Sequence, residues 1–194
     1  MFNGIIFHKG KVSFLKKYKE SLNIGIKSSI KINKNEIGSS VCCNGVCLTL
    51  TSIYKKRLNF YVSSETLKRS NFKKIKINDE INIEKSLKYG QNISGHFIQG
   101  HVDTTGTVEK IKIKNKSWII NIKLKSDYMN FLVEKASIAI NGVSLTIAKI
   151  YKNSFDVSII PHTLKLTNLI SLKKNSVLNI EIDIFSKYLK KYYE

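Results

Sequence analysis

No apolar run in this chain is long enough to cross a bilayer, three cysteines are all that its 194 residues contain, and 14 acidic residues face 33 lysines and arginines. A membrane-spanning helix needs about 20 consecutive apolar residues, so that class is excluded. The start, Met1-Phe2-Asn3-Gly4, also lacks the basic stretch followed by an apolar one that marks an export leader, and a soluble, cytoplasmic protein is expected. Cys42, Cys43 and Cys47 are odd in number and clustered, without metal-site spacing and without the even framework of a disulfide-stapled secreted domain. Neighbouring residues of a strand point to opposite faces, so Cys42 and Cys43 are expected as separate reduced thiols.

The formal net charge of +19 invites a nucleic-acid reading, because a basic surface binds phosphate by releasing counterions. Lysine, however, dominates over arginine and is scattered among Asn and Ile, as in Lys31-Ile32-Asn33-Lys34-Asn35, which is the pattern of AT-biased coding. No aromatic ladder accompanies the lysines, as a single-strand-binding barrel would require. Neither nucleic acid nor membrane is expected as a partner.

What the chain does have is a repeat. Asn44-Gly45-Val46-Cys47-Leu48-Thr49-Leu50 returns 97 positions later as Asn141-Gly142-Val143-Ser144-Leu145-Thr146-Ile147. Glu65-Thr66-Leu67 through Asn71 and Ile81-Asn82-Ile83-Glu84 return at the same offset as His162-Thr163-Leu164 through Asn168 and Leu178-Asn179-Ile180-Glu181. Solenoid repeats are shorter and need more copies, so two long copies imply two small domains from a tandem duplication. At 42% hydrophobic residues, each half can bury a core of its own.

Within the first copy, Leu22, Ile24 and Ile26, then Ile30 and Ile32, alternate with polar residues and predict strands. Val41–Cys43, the Asn44-Gly45 turn and Val46–Ile53 predict a hairpin, because Asn-Gly tolerates the positive φ of a type I′ turn. Past that turn, Cys47 and Thr49 share one face and Leu48 and Leu50 the other. A strand at 58–62 leads into Ser63-Ser64-Glu65-Thr66, which suits the start of a short helix reaching about Asn71, and a strand at 80–84 closes the copy. Many short strands with one or two short helices predict a small antiparallel barrel, and an all-β class.

The second copy opens on Ser94-Gly95-His96-Phe97-Ile98-Gln99-Gly100-His101-Val102-Asp103, where glycines flank two histidines, the side chains best suited to proton exchange near neutral pH. A strand over 118–124, a helix capped by Ser126-Asp127 and running through Val133, and a second hairpin around Asn141-Gly142 follow. Phe185, Tyr188, Leu189 and Tyr192 then fall on one face of a terminal helix, which is expected to mediate oligomerisation.

The start Met1-Phe2-Asn3-Gly4-Ile5-Ile6, the duplicated Asn-Gly-Val-(Cys/Ser)-Leu-Thr, the Gly95–Asp103 block and Ile160-Pro161-His162-Thr163 resemble the alpha-chain type of riboflavin synthase, over the whole chain. The resemblance implies a tandem of six-stranded Greek-key barrels, at residues 1–97 and 98–184, with an oligomerisation helix at 185–194. It also implies a homotrimer in which the amino-terminal barrel of one subunit faces the carboxy-terminal barrel of its neighbour, and an association with lumazine synthase. The implied reaction exchanges a four-carbon unit between two molecules of 6,7-dimethyl-8-ribityllumazine to give riboflavin and 5-amino-6-ribitylaminouracil, with no metal or redox cofactor. A related non-catalytic class, the lumazine-binding antenna proteins, shares the duplicated barrels; two well-kept copies favour the enzyme.

Carried over residue by residue, the resemblance places Gly4, Ile5, Ile6, Cys47, Leu48, Thr49, Tyr61, Val62, Ser63, Ser64, Glu65 and Thr66 in a first substrate pocket. The second would be formed by Gly100, His101, Val102, Lys135, Ser144, Leu145, Thr146, Ser158, Ile159, Ile160, Pro161, His162 and Thr163. His101 is the implied proton carrier and Cys47 and Ser144 the polar or nucleophilic groups at the ring, with Lys135 and Asp183 completing the candidate catalytic set. Asn3 and Asn141 depart from the family's usual Thr and Asp; at Asn141 the change removes a carboxylate, and an amide cannot act as a base.

Overall fold

The computed structural model describes residues 1–193. Among them, twelve strands close two barrels of six. The first is built from β1 (His8–Lys17), β2 (Leu22–Ser28), β3 (Ser40–Cys43), β4 (Val46–Tyr54), β5 (Arg57–Val62) and β6 (Glu80–Lys85), arranged around the wall in the order β1-β2-β5-β4-β3-β6. The second repeats that order with β7 (Thr104–Lys114), β8 (Ser117–Lys123), β9 (Ser137–Ile140), β10 (Val143–Ile150), β11 (Ser154–Ile159) and β12 (Val177–Ile182). All pairings are antiparallel, and full closure leaves no open sheet edge. The register slips between Val12 and Phe14 and between Leu50 and Ser52, and again between Val108 and Lys110 and between Ile147 and Lys149. These bulges supply the curvature that closure requires.

The alternation read from the sequence sets the inside. Leu48 and Leu50 are buried while Cys47 is half-buried and Thr49 exposed; Leu145 and Ile147 repeat this beside Ser144 and Thr146. At one layer of the core the copies trade bulk: Leu58 and Phe60 correspond to Phe155 and Val157, all buried, so the aromatic ring moves along the strand while the layer stays filled. Cys43 joins the core of the first barrel and Cys42 points the other way, and all three thiols are free.

Two local expectations need correction. Ile30 and Ile32 do not form a strand: β2 ends at Ser28, whose hydroxyl donates to the Lys9 carbonyl (2.9 Å) and accepts from the Ile30 N–H (3.2 Å), turning the chain aside. The helix at Ser126 is one turn, α2 (Ser126–Met129), and its cap is Lys125; the Ser126 hydroxyl bonds Asp127 and leaves the helix amides alone. Strands β1 and β7 lie outside the elements expected: β1 mixes Val12, Phe14 and Leu15 with four lysines, while β7 does alternate at Lys110-Ile111-Lys112-Ile113-Lys114, a run that reads first as scattered charge. The other helices are α1 (Ser64–Arg69), α3 (Pro161–Leu166) and α4 (Ile184–Tyr193), with a 3₁₀ turn after each of the first two of these. None is long and apolar enough to cross a membrane.

The two barrels are joined by asparagine. Asn44 and Asn141 sit at φ 48° and 47° in the hairpin turns, followed by Gly45 and Gly142 at φ +81° and +77°. The turns meet back to back, so that a Cβ on Gly45 would lie 2.8 Å from the Gly142 nitrogen and the reverse contact would be 2.7 Å. Asn82 of β6 donates its side-chain amide to the Asn141 carbonyl (3.0 Å), and Asn179 of β12 donates to the Asn44 carbonyl (2.8 Å). Their side-chain oxygens accept the backbone N–H groups of Asn168 (2.8 Å) and Asn71 (2.7 Å). Three pairs at the offset of 97 thus form one network with approximate two-fold symmetry. Asn141 accepts the Asn179 N–H at 2.9 Å, the same duty Asn44 performs for Asn82, so its amide serves the junction.

Asn82→Ala strands three buried groups and should cost about 3 kcal/mol. Urea unfolding of the variant is expected to show a lowered midpoint, with two separated transitions as the barrels uncouple.

Candidate functional site

Each barrel is completed by a backbone segment that precedes the other. The Gly100 carbonyl accepts the Cys47 N–H of β4 (2.8 Å), and Val102 is buried in the core of the first barrel. Reciprocally, the Gly4 carbonyl accepts the Ser144 N–H of β10 (2.9 Å), and Ile6 is buried in the core of the second. The segments meet where Phe2 and Ile98 exchange backbone hydrogen bonds of 2.7 and 3.2 Å beside buried Cys42 and Ala139, and the Gly95 N–H donates to the Asn3 side-chain oxygen (2.7 Å). The sequence-based grouping is therefore exchanged at this point: Gly100, His101 and Val102 stand with Cys47, while Gly4 and Ile6 stand with Ser144. The physical reason is the crossing, which residue types and spacing do not encode.

Cys47, Glu65, Thr66, Arg69, Gly100, His101 and Val102 line one hollow of about 160 Å³ on the first barrel. The thiol comes from the solvent-facing side of β4. Thr66 comes from the first turn of α1, where Ser63 caps the helix by accepting the Thr66 N–H at 3.3 Å. Glu65 and Arg69 pair one helical turn apart at the rim. Leu48 and Val62 point inward as core, Tyr61 is exposed, and Ser64 is half-buried at the helix start.

The corresponding face of the second barrel has different chemistry. Ser144 takes the place of Cys47, and its hydroxyl lies 2.7 Å from Nδ1 of His96. Burial holds the His96 imidazole below its ordinary range, with the charge of Asp183 pulling the other way. With the proton on Nε2, a neutral ring accepts the Ser144 hydroxyl proton and leaves the oxygen lone pairs free. His162 replaces Glu65 and Leu166 replaces Arg69, so the ion pair at the rim is absent. Pro161 holds the first position of α3, Thr163 is half-buried, Ser158, Ile160 and Thr146 are exposed, and Leu145 and Ile159 belong to the core. Ile5 lies apart, lining a hollow beside Asn3 and Glu84.

Lys135 and Asp183 are placed by their backbones. Lys135 adopts φ +70°, where the first copy has Gly38 at φ +93°, and its side chain is exposed. A non-glycine there costs on the order of 1 kcal/mol, a cost that Lys55, Lys56 and Lys116 also meet in the strand-connecting turns. Asp183 accepts the Phe185 N–H at 2.9 Å at the start of α4. The helix docks through Lys187 to Asp103 (2.8 Å) and through Phe185 edge-on to Phe97 (6.2 Å), yet Phe185, Tyr188, Leu189 and Tyr192 remain 59–83% exposed. His96 is the residue that the sequence did not rank; the same loop offers two histidines, and only the crossing shows that they serve different barrels.

A larger crevice of about 460 Å³ lies between the barrels around Asn44, Asn71, Asn141 and Asn168. It contains none of Cys47, His101 or Ser144, and its asparagines are engaged in the junction, Asn168 with Asn44 (2.9 Å), Asn71 with Asn179 (2.7 Å) and Asn141 with Asn82 (3.0 Å).

A family model described as "Lumazine binding domain" matches residues 3–86 and again 99–183. The chain is 38% identical over 192 residues to a riboflavin synthase of Actinobacillus pleuropneumoniae, covering 99% of this chain and 89% of that protein. It is 38% identical over 188 residues to one of Chlamydia pneumoniae (96% and 92% covered) and 32% identical over 192 residues to one of Bacillus subtilis (99% and 89%). Among solved structures, LumP complexed with riboflavin superposes with a TM-score of 0.84 at 23% identity, covering 94% of this chain and 99% of that one. LumP complexed with 6,7-dimethyl-8-(1'-D-ribityl) lumazine gives 0.81 at 24% identity, with 93% and 98% covered. At that identity the likeness concerns the fold.

At Gly100 a Cβ would meet the Cβ and nitrogen of Cys47 at 2.7 and 2.8 Å, in a backbone held at φ +78°. Gly100→Ala should cost about 2–4 kcal/mol in chemical unfolding. It should also lift the segment from β4, so native-state titration with a thiol reagent is expected to find Cys47 more reactive than in the unaltered protein.

Proposed function

This chain belongs to the riboflavin synthase family of tandem lumazine-binding barrels, and from that premise we propose that it converts two molecules of 6,7-dimethyl-8-ribityllumazine into riboflavin and 5-amino-6-ribitylaminouracil. The atoms of two substrates equal those of the two products, so the reaction consumes no oxidant, reductant or water. One substrate loses a methyl proton and the other accepts a nucleophile, after which four carbons pass between them. The work left to the protein is positioning and proton transfer.

The observation that carries the reading is the pair of like-built faces with unlike chemistry. One presents Cys47 and His101, the other Ser144 and His96, each on a β-hairpin of the same shape. Two identical molecules taking different parts in one reaction call for such a pair. His101 is assigned to proton transfer, Cys47 and Ser144 to contact with the heterocycle, and Lys135 and Asp183 to the polar edge of the second pocket. The exposed Thr49, Thr146, Ser158 and Thr163 hydroxyls, with the backbone at 62–66 and 159–163, are assigned to the uracil edge and ribityl chain.

A hollow of about 160 Å³ falls short of the roughly 300 Å³ at which ligand pockets begin, so a second wall is needed. In a homotrimer that wall is the second barrel of a neighbouring subunit, with the exposed aromatic face of α4 holding the subunits together. An association with lumazine synthase and a cytoplasmic location form part of the same reading. The antenna alternative is weaker, because its support is fold likeness at 23–24% identity against synthases at 38%.

Purified protein given the lumazine alone should form a flavin absorbance with about two substrates consumed per flavin; a bound, unchanged chromophore would reject turnover. Removing the chain after Asp183 should lower both the sedimentation coefficient and kcat/KM, and an unaltered oligomer would take α4 out of the subunit contact.

A further inference from the structure

Two carboxyl groups set into the barrel walls, Glu181 buried and Glu84 half-buried, have no part in the reaction as described. Glu84 on β6 and Glu181 on β12 occupy equivalent positions in the two copies, and each accepts two successive backbone N–H groups. Glu181 takes those of Gln99 (2.7 Å) and Gly100 (2.9 Å); Glu84 takes those of Asn3 (2.7 Å) and Gly4 (3.0 Å). We propose that Glu84 and Glu181 are positioning residues, each holding from the wall of its own barrel the backbone segment that completes the pocket of the other. The proposal rests on the synthase reading for what the pockets do, and on geometry for what the carboxylates do.

Glu181 belongs to the second barrel, yet the segment it grips delivers His101 to the first. Its two bonds, and the bond from the Cys47 N–H to the Gly100 carbonyl, fix three consecutive backbone groups immediately before that histidine. Glu84 belongs to the first barrel and fixes Asn3 and Gly4, whose carbonyl meets Ser144 of the second. A carboxylate is the side chain suited to this task, since its two oxygens accept two parallel amides. Glutamine offers one oxygen and would turn an N–H₂ against the second amide. Ordinary satisfaction of buried amides would explain a contribution to stability, but not why each carboxylate sits on the barrel opposite the pocket it shapes.

Burial pushes both carboxyls up to about 7, against the downward pull of the amides they accept. Glu181 is also faced by Lys187 of α4, which lowers it, and by Asp103, which raises it; Glu84 is faced by the amino group of Met1. The Cys42 thiol of β3 lies within the field of both and is itself held protonated by burial. Protonation sets an O–H against an N–H and releases one of the two bonds, so the grip is complete only above about 7. For the fold the sign is opposite. A carboxyl whose folded value lies above its unfolded one favours folding fully below about 4.5, and that advantage is lost as pH rises to about 7. Acidification between these limits thus favours the fold while loosening the pockets.

The test uses the full chain. In ¹⁵N spectra of the unaltered protein, the Gln99, Gly100, Asn3 and Gly4 amides should move with pH around 7. Glu181→Gln should abolish the movement at Gln99 and Gly100 and leave it at Asn3 and Gly4, and Glu84→Gln should do the reverse. With the lumazine as substrate, each variant should lose between about tenfold and a hundredfold in kcat at pH 8, with KM altered less than about threefold. Their unfolding midpoints should be unchanged or raised, and the acid limb of kcat near pH 7 flattened. Amides that ignore pH in the unaltered protein, or unchanged kcat in both variants, would overturn the assignment. If the unaltered protein forms no flavin, the synthase reading fails, and the amide titration still decides whether the carboxylates grip the segments.

Discussion

The constraint on which everything else hangs is the reciprocal exchange of segments between the two barrels. Neither barrel is complete by itself: the first takes Val102 into its core and the second takes Ile6. The exchange places Phe2 beside Ile98 at the pseudo-axis and presses Gly45 against Gly142. Polar groups buried in that contact must all find partners, because each one left alone costs about 1–3 kcal/mol. Six asparagines at three symmetry-related positions meet the demand, since an amide side chain can accept from one backbone and donate to another at once. The junction is therefore specific as well as stable: a shift of either barrel by one strand spacing would break the whole set together.

Fusing the two copies in one chain permits what two identical barrels could not. The fold of each half is held by the same hairpin, the same bulges and the same inward-facing side chains, so the frames superpose while the exposed positions are free to differ. They do differ where chemistry is expected. Cys47 answers to Ser144, Glu65 to His162, Arg69 to Leu166 and Gly38 to Lys135. The last substitution is informative because it runs against local preference: a lysine has replaced glycine at positive φ, and the backbone there still donates to Ile147 as Gly38 does to Leu50. Lys55, Lys56 and Lys116 adopt the same left-handed backbone in other turns, so the conformation at Lys135 is tolerated by the turn and the change of side chain is what distinguishes the two copies.

Much of this was legible in the sequence, and the boundary between the legible and the hidden is physical. The hairpins at Asn44-Gly45 and Asn141-Gly142 and the division of each β4-type strand into a greasy and a polar face follow from local rules of φ and of period two. The cap at Ser63 does as well. His8–Lys17 was hidden because only Val12, Phe14 and Leu15 stand among its lysines, whereas Thr104–Lys114 does carry period two at Lys110-Ile111-Lys112-Ile113-Lys114, where the lysines read as charge before they read as the outer face of a strand. Ile30 and Ile32 misled because period two alone cannot register that Ser28 turns the backbone away. The grouping of pocket residues was hidden for a deeper reason. Sequence order suggests that Gly4 serves the barrel it precedes and Gly100 the next, and only long-range hydrogen bonds reverse that inference. His96 and Glu181 were out of reach on the same ground, since their partners lie 48 and more than 80 residues away.

The crossing also explains why the candidate pockets are shallow. A barrel of six strands fills its interior with side chains, as Phe60 and Phe155 do here, so no ligand can enter along the axis. In the proposed function the heterocycle lies against the outside of the wall, between the polar face of the fourth strand and the helix start that follows the fifth. The crossing segment supplies a third side, and the fourth is open. A surface left open on one side and shaped twice over, with one thiol-bearing and one hydroxyl-bearing version, is what the proposed meeting of two subunits would close. The aromatic residues of α4, exposed at the edge of the second barrel, give such a meeting an apolar contact to be built around. The proposed placing of the reaction between subunits agrees with this geometry: a wall too tightly packed to admit a substrate would hold one against a neighbour.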